Sequence, residues 1–154
     1  MRRPFDFNKN RALAILVDPD EGNPDTWVKL ANQLKSSSLD YIFIGGSFLV
    51  KSNLKACIHL LRNAEKPLIL FPGSSAQVDE DADGILLLSL ISGRNPELLI
   101  GQHVQAAMNL KATGLPIIPT GYLLIDGGKP TTVSYISNTN PIPFDKPGIA
   151  AATA

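Results

Sequence analysis

The sequence predicts an α/β fold of the (β/α)₈-barrel type that is truncated after about five β/α units. Short apolar runs without polar alternation recur along the chain, as in strands that are covered on both faces. Segments with helical apolar spacing lie between them, and crossovers of this length join parallel neighbours. A complete barrel needs about 250 residues, and this chain has 154. We therefore expect residues 1–154 to form a single incomplete barrel domain, with the last three units absent.

The elements are assigned in chain order. Strands are predicted at residues 12–17, 41–44, 67–71, 84–88 and 115–119. Helices are predicted from Pro24 to the serine run at 36–38, at 49–64 and at 96–111, and the alanine-rich stretch after Pro147 begins another. Residues 76–80 leave room only for a short helix or a loop. The buried stripe of the long helix is expected to contain Ile100, Val104, Ala107 and Leu110.

The pattern changes after the fifth strand. Two β-prone runs at 122–125 and 131–136 flank Asp126-Gly127-Gly128, which is a turn signal. We expect an inserted β-hairpin here, with a mobile loop as the alternative. An autonomous doubly wound domain is the alternative to the barrel as a whole. Strand order separates the two, because a barrel requires sequential neighbours, and an open sheet with exposed edges would make the chain poorly soluble alone.

Composition excludes several classes of protein. The 14 basic residues balance 14 acidic ones, and the scattered basic residues and few aromatic rings predict no nucleic-acid interface. Apolar runs are far shorter than the roughly 20 residues of a membrane span, and the chain does not open on a signal-peptide pattern. The single cysteine, Cys57, is expected to be a core or helix residue rather than a nucleophile. It fits a reducing compartment, so we expect a cytoplasmic protein.

Three successive strands end in turns suited to phosphate or metal. These turns are Val17-Asp18-Pro19-Asp20, Ile44-Gly45-Gly46-Ser47 and Phe71-Pro72-Gly73-Ser74. In parallel α/β folds, ligands bind outside the carboxyl ends of the strands. The three turns therefore predict one shared site for a phosphorylated substrate.

The turns also form part of a longer set of motifs. Further along the chain come Ser92-Gly93-Arg94-Asn95-Pro96, Ile118-Pro119-Thr120-Gly121-Tyr122 and Asp145-Lys146-Pro147. In this order and spacing, from about Ala12 to the last residue, the chain resembles the geranylgeranylglyceryl phosphate synthase family. The resemblance implies a modified TIM barrel and a Mg²⁺-dependent prenyltransferase of glycerophospholipid biosynthesis. Such an enzyme joins geranylgeranyl diphosphate to sn-glycerol 1-phosphate through an ether bond and releases diphosphate.

The resemblance also implies roles for individual residues. Asp18 matches the metal-binding aspartate of the family, and Ser47 matches its second metal position. Gly45 and Gly46 would let backbone amides approach the diphosphate, and the start of the second helix would add its positive end. The alternative for Asp18 is an Asp-Pro turn that Asp20 caps. For Ser47 the alternative is a simple helix N-cap.

A prenyl chain needs a long apolar groove. The helix at 96–111 and the segment after strand five could line it, with Tyr122 as a candidate wall. The small Ala106 and Ala107 could leave the groove floor open and so influence the accepted chain length. Core packing explains the same apolar residues equally well, and alanine is also a good helix former.

The family's glycerol phosphate site, and with it the general base, is expected beyond Ala154, so we assign no catalytic residue. His59 and His103 fall inside predicted helices, where a surface or packing role is expected. The resemblance further implies a homo-oligomer, with peripheral membrane contact through its lipid product. Two alternatives remain open: a catalytically inert chain that acts as a binding or dimerising partner, and another phosphate-binding barrel such as an aldolase or isomerase. The lack of a lysine at any predicted strand end counts against Schiff-base chemistry.

Overall fold

The computed structural model describes residues 5–6, 11–51 and 53–154. The described strands form one parallel sheet in the sequential order β1-β2-β3-β4-β5. They are β1 (Ala14–Val17), β2 (Tyr41–Ile44), β3 (Leu68–Leu70), β4 (Gly84–Ser89) and β5 (Ile117–Gly121). This order is that of a (β/α)₈-type barrel and differs from a doubly wound sheet, in which the strand order reverses.

The helices described are α1 (Pro24–Lys35), α2 (Leu54–Leu61), α3 (Gln102–Thr113), α4 (Thr132–Ser137) and α5 (Pro147–Thr153). The first three contribute side chains to the core that packs on the sheet. A 3₁₀ turn (Arg62–Ala64) extends α2, and a π-helical turn (Glu97–Gly101) precedes α3. Among the described residues, no helix has both the length and the apolar character that crossing a membrane requires.

The sheet register places three strand ends side by side. Val17 pairs with Ile44, and Ile44 pairs with Leu70, so the last residues of β1, β2 and β3 lie in one row. The three polar turns therefore leave the sheet at a common edge.

Apolar side chains of the strands pack against the helices in one core. Core residues contributed by the helices include Trp27, Ala31, Leu34, Ile58, Leu61 and Leu110.

Helix α1 begins where the sequence predicts, because Asn23 and Thr26 form a capping box just before and inside it. Helix α2 begins at Leu54, later than the predicted residue 49. The reason lies in the preceding turn. The backbone amides of Val50 and Lys51 donate to the Asp20 carboxylate instead of starting a helix.

The predicted β-hairpin after strand five is wrong. Residues 131–136 begin a helix, α4, because Thr131 and Ser134 form a capping box. A capping box satisfies amides at a helix start, and it outweighs the β propensity of the valine, tyrosine and isoleucine that follow. Ile125 forms only an isolated parallel bridge with Ile142.

The predicted buried stripe of α3 is also largely wrong. Leu110 is buried, but Ile100, Val104 and Ala107 are exposed. Ala106 is buried in place of Ala107. The π-helical turn at Glu97–Gly101 has more residues per turn than an α-helix, so it shifts the phase of the helix relative to a uniform 3.6-residue period.

The connection from β3 to β4 contains turns but no helix, which agrees with the short helix or loop expected there. Asp83 closes this connection: it is fully buried, accepts from Leu68 N at 2.8 Å and pairs with Arg62 at 3.3 Å. Because this connection has no helix, the part of the sheet beside α3 lacks the helical cover that α1 and α2 give to the first strands.

Candidate functional site

Asp18 lies directly after β1 in a turn closed by a hydrogen bond from Glu21 N to Asp18 O (3.2 Å). Its Oδ1 accepts from Asp20 N at 2.8 Å. Its Oδ2 lies against Gly46, where an added Cβ would be only 2.6 Å from this oxygen. Within the described residues, no hydrogen bond or ion pair engages Oδ2. The structure thus brings Asp18 and Gly46 together and leaves one carboxylate oxygen available for a ligand.

Asp20 has a different task from the one expected for a turn cap. Its carboxylate accepts from Val50 N at 2.5 Å and from Lys51 N at 3.1 Å. The Lys51 ammonium donates in turn to Asp20 O at 3.1 Å. Asp20 therefore fastens the turn after β1 to the segment after β2, while Asp18 makes the local turn contact.

Gly45 allows β2 and β3 to approach closely. Its φ is 154°, and an added Cβ would lie 2.0 Å from Phe71 O. Its own N–H donates to Val17 O at 3.1 Å. Gly45 therefore shapes the turn with its amide committed to the sheet, whereas no hydrogen bond from Gly46 N–H is found among the described residues. Diphosphate binding by this turn stays a prediction.

A residue that the sequence did not single out joins the glycine turns. Gln77 is buried, its Oε1 accepts from Gly73 N at 3.1 Å, and its Nε2 donates to Gly46 O at 3.0 Å. Gly73 must be a glycine here, because an added Cβ would lie 2.4 Å from Gly46 O. A lone glutamine in a loop has no periodicity or motif, so only the fold reveals its position.

Ser47 follows Gly46 at the mouth of a cavity and is half-buried. It is not a helix N-cap, because α2 begins at Leu54 with Asn53 as its N-cap residue. The expectation that the start of this helix adjoins Ser47 is wrong for the same reason. Ser47 sits instead in an irregular turn, with its hydroxyl outside the helix-capping role.

The cavity contains about 930 Å³ of empty space, including space open to solvent. The turns after β2 and β3 form one part of its lining, here called its mouth, with Gly46, Ser47, Gly73, Ser74 and Ser75. Polar side chains also line it elsewhere, at Gln102, His103 and Ser137. The rest of the lining, here called its walls, is mainly apolar and includes Val78, Leu86, Leu88, Leu98, Ala106, Leu110, Val133 and Ile136.

The structure places two of the three predicted groove residues in this wall. Tyr122 lies edge-on to Phe71, with ring centroids 5.8 Å apart, and both rings line the cavity. Ala106 lines it from α3, whereas Ala107 is exposed and does not. A prenyl-binding role for Tyr122 and Ala106 stays a prediction.

The motif after β4 bonds to the segment that follows β5. Ser92 Oγ accepts from Leu124 N at 2.9 Å. The Asn95 side chain accepts from Glu97 N at 3.1 Å and donates to Ser137 O at 2.9 Å. These bonds hold the segment after β5 against the turn after β4.

Neither histidine lies in the turns after β1, β2 and β3. His103 lines the cavity and donates from Nε2 to Leu88 O at 2.8 Å, and His59 is exposed on α2. Cys57 is fully buried in the core. Burial, with a smaller contribution from the Asp18 carboxylate, raises the pKa of the Cys57 thiol to about 12. Cys57 is therefore a neutral thiol rather than a nucleophile, in agreement with the sequence prediction.

The donor set suits a magnesium ion that is completed by substrate. In the part of the chain described, no group of three His, Cys, Asp or Glu residues could hold a metal alone. Mg²⁺, however, commonly uses one or two protein oxygen ligands together with substrate phosphates and water. Asp18 Oδ2 and the Ser47 hydroxyl are oxygen donors of this kind on adjacent strand ends, and Mg²⁺ binding by them stays a prediction.

Comparison with known proteins identifies the family. Residues 5–154 match the PcrB family. The chain belongs to the PcrB family. It is 53% identical over 145 residues to a geranylgeranylglyceryl phosphate synthase of Chitinophaga pinensis, covering 94% of this chain and 58% of that relative. It is 46% identical over 153 residues to one of Spirosoma linguale, covering 99% of this chain and 61% of the relative.

Solved structures show the same PcrB-family fold. (S)-3-O-geranylgeranylglyceryl phosphate synthase from Thermoplasma acidophilum, in complex with sn-glycerol-1-phosphate, is 30% identical with a TM-score of 0.85. The match covers 94% of this chain and 59% of that one. The chain thus spans about three fifths of the length of the relatives it matches.

Proposed function

We propose that this chain forms the prenyl diphosphate-binding part of an enzyme that joins geranylgeranyl diphosphate to sn-glycerol 1-phosphate. The observation that carries the proposal is an apolar cavity whose mouth is bordered by the glycine and serine turns after β2 and β3. A molecule with a long hydrocarbon chain and a diphosphate head matches this combination of apolar walls and a polar mouth. The names of the curated relatives and the sn-glycerol-1-phosphate complex of a similar protein support the choice of substrates.

The turn at the cavity mouth would bind the diphosphate. Gly46 N–H and the Ser47 hydroxyl are donors beside the cavity, and hydrogen bonds to an anionic oxygen are roughly twice as strong as neutral ones. Gly45 contributes through the shape of the turn, since its own amide bonds to Val17. Asp18 lies beside this turn with Oδ2 against Gly46, and it is not itself part of the cavity lining.

Asp18 and Ser47 would hold Mg²⁺ together with the diphosphate oxygens. The bound ion would supply charge neutralisation for the departing diphosphate. A single carboxylate is appropriate here, because the substrate brings most of the negative charge and of the oxygen ligands.

In the reaction, the glycerol hydroxyl oxygen forms a bond to the allylic carbon of the prenyl group. The bond from that carbon to the diphosphate oxygen breaks, diphosphate leaves with the electron pair, and the hydroxyl proton passes to a base. The apolar walls around Leu86 and Ala106 would exclude water that could otherwise capture the allylic carbon. Each buried methylene of the chain would add about 0.8 kcal/mol of binding energy.

We further propose that the enzyme serves glycerophospholipid biosynthesis in the cytoplasm. Its prenyl diphosphate substrate and its product are amphiphiles, so it would contact membranes peripherally. A homo-oligomer is proposed from the family resemblance.

A prenyl-transfer assay tests the proposal. The 154-residue chain and a version extended through the downstream reading frame are incubated with geranylgeranyl diphosphate, radiolabelled sn-glycerol 1-phosphate and Mg²⁺. We expect ether-linked product from the extended chain. In that chain, Asp18→Asn should lower turnover by at least about 100-fold, because it removes the charge that holds the metal. Asp25→Asn, at an exposed position on α1, is the matched control and should retain turnover.

The outcomes separate the parts of the proposal. Near-normal turnover by Asp18→Asn would remove Asp18 from the site. Absence of transfer by the wild-type extended chain would contradict the proposed reaction. Product formed by the 154-residue chain without the extension would place the glycerol phosphate site within these 154 residues.

A further inference from the structure

Gln77 lies outside the cavity wall but holds two of its border turns. It is 6% exposed in the connection from β3 to β4. One end of its amide accepts from Gly73 N and the other donates to Gly46 O. Its backbone N–H also donates to Ser74 O at 3.1 Å, which fixes the glutamine relative to the second turn. A single side chain therefore sets the spacing between the turns after β2 and β3.

The bond to Gly46 O also sets the direction of a neighbouring donor. The peptide group is planar and trans, so the C=O of Gly46 and the N–H of Ser47 point in opposite directions. Because Gly46 O points to Gln77, the Ser47 N–H points away from it. Glycine turns are conformationally free in the absence of such support, and Gly46 and Gly73 are both glycines.

Packing leaves little alternative for this carbonyl. Gly46 O lies between the Gln77 amide and the Gly73 backbone, where an added Cβ would come within 2.4 Å. If the amide were removed, the Gly46 carbonyl and the Gly73 N–H would both lose their partners. The Gly46–Ser47 peptide would then lose the only side-chain hydrogen bond that the described residues give to its carbonyl, and the Ser47 N–H would be held in direction less firmly.

We propose that Gln77 is a positioning residue for the diphosphate of the substrate: it orients the Gly46–Ser47 peptide and fixes its distance from the turn at Gly73. This inference rests on the proposed function, in which that turn binds diphosphate. Gln77 itself does not touch the ligand, since it is absent from the cavity wall whereas Gly46 and Ser47 are part of it.

Two ligands that probe the two ends of the site separately provide the test. Inorganic pyrophosphate with Mg²⁺ reports on the cavity mouth, and geranylgeraniol, which lacks phosphate, reports on the apolar walls. Both are titrated into the protein expressed from its complete reading frame, in wild-type form and as Gln77→Leu and Gln77→Glu. Gln33→Leu, at an exposed position on α1, is the matched control.

We expect Gln77→Leu to weaken pyrophosphate binding at least tenfold and to raise KM for geranylgeranyl diphosphate more than it lowers kcat. Geranylgeraniol affinity should change less than twofold. Gln77→Glu keeps the size of the side chain and the acceptor for Gly73 N but places a carboxylate oxygen against Gly46 O. It should therefore show the same selective loss, and it serves as the test if Gln77→Leu does not fold.

Three results would overturn the inference. Unchanged pyrophosphate affinity in a folded variant would show that the turns do not need Gln77. Equal loss of both ligands, with a lowered melting temperature, would show a general role in packing. Wild-type protein that binds geranylgeraniol but not pyrophosphate would contradict the proposed function itself, and the inference with it.

Discussion

Replacing Gly46 by alanine would place a methyl group against the Asp18 carboxylate. The added Cβ would lie 2.6 Å from Asp18 Oδ2, and ordinary contact begins at 3.4 Å. The carboxylate must therefore move by about 0.8 Å or rotate away. Misplacement of a binding group by about 1 Å can cost on the order of 100-fold in rate. We expect kcat/KM to fall about 10- to 100-fold, or about 1.4–2.7 kcal/mol of transition-state stabilisation.

The assay measures prenyl transfer as a function of Mg²⁺ concentration in the protein from its complete reading frame. Gly46→Ala should need more Mg²⁺ for half-maximal rate, because the displaced carboxylate is the proposed ligand. Gly127→Ala is the matched control, since an added Cβ there meets nothing within 4 Å. Normal rate and normal Mg²⁺ dependence in folded Gly46→Ala would refute the reasoning that links Asp18, Gly46 and the metal.

Two further predictions concern the cavity and the core. Ala106→Leu should fill part of the cavity and raise KM for geranylgeranyl diphosphate at least tenfold relative to KM for geranyl diphosphate. Ala107→Leu, on the exposed side of α3, is the control and should leave both KM values unchanged. Similar effects of the two variants would remove Ala106 from the prenyl site. Because the pKa of the Cys57 thiol is raised to about 12, only about one thiol in 10,000 is ionised at pH 8, so Ellman's reagent should not react with the folded protein and should label one thiol per chain in denaturant. Rapid labelling of the native protein would contradict the buried position of Cys57.

The strands and their order follow from the sequence for a clear physical reason. Strands buried on both faces are continuous apolar runs, and the crossovers between them are long enough to require parallel neighbours. The run at 41–44 becomes β2 with the predicted bounds. The polar residues that follow such runs must then lie at one edge, so the neighbourhood of Asp18 and Gly46 could be predicted without a structure.

Apart from the π-helical turn before α3, the errors occur where a side chain bonds to distant or capping backbone. Asp20 accepts from the amides of Val50 and Lys51, 30 and 31 residues away along the chain, and so delays the start of α2. Thr131 starts a helix in a segment whose composition favours a strand. No local sequence pattern predicts the long-range contact of Asp20. The capping box at Thr131 is a local pattern, but it competes with the stronger β propensity of the residues that follow.

The two ends of the candidate site are built by different devices. At the polar end, Asp20 and Gln77 hold the segment after β2 through bonds from Val50 N and to Gly46 O. At the apolar end, the connection between β3 and β4 has no helix, and α3 presents the small Ala106 to the space that remains. Because the side chains that fix one end are not those that shape the other, diphosphate affinity and chain-length preference should vary independently. Substitutions at Gln77 should then weaken the binding of pyrophosphate and of prenyl diphosphates of every chain length. Substitutions at Ala106 should instead change the order of preference among chain lengths and leave pyrophosphate affinity unchanged.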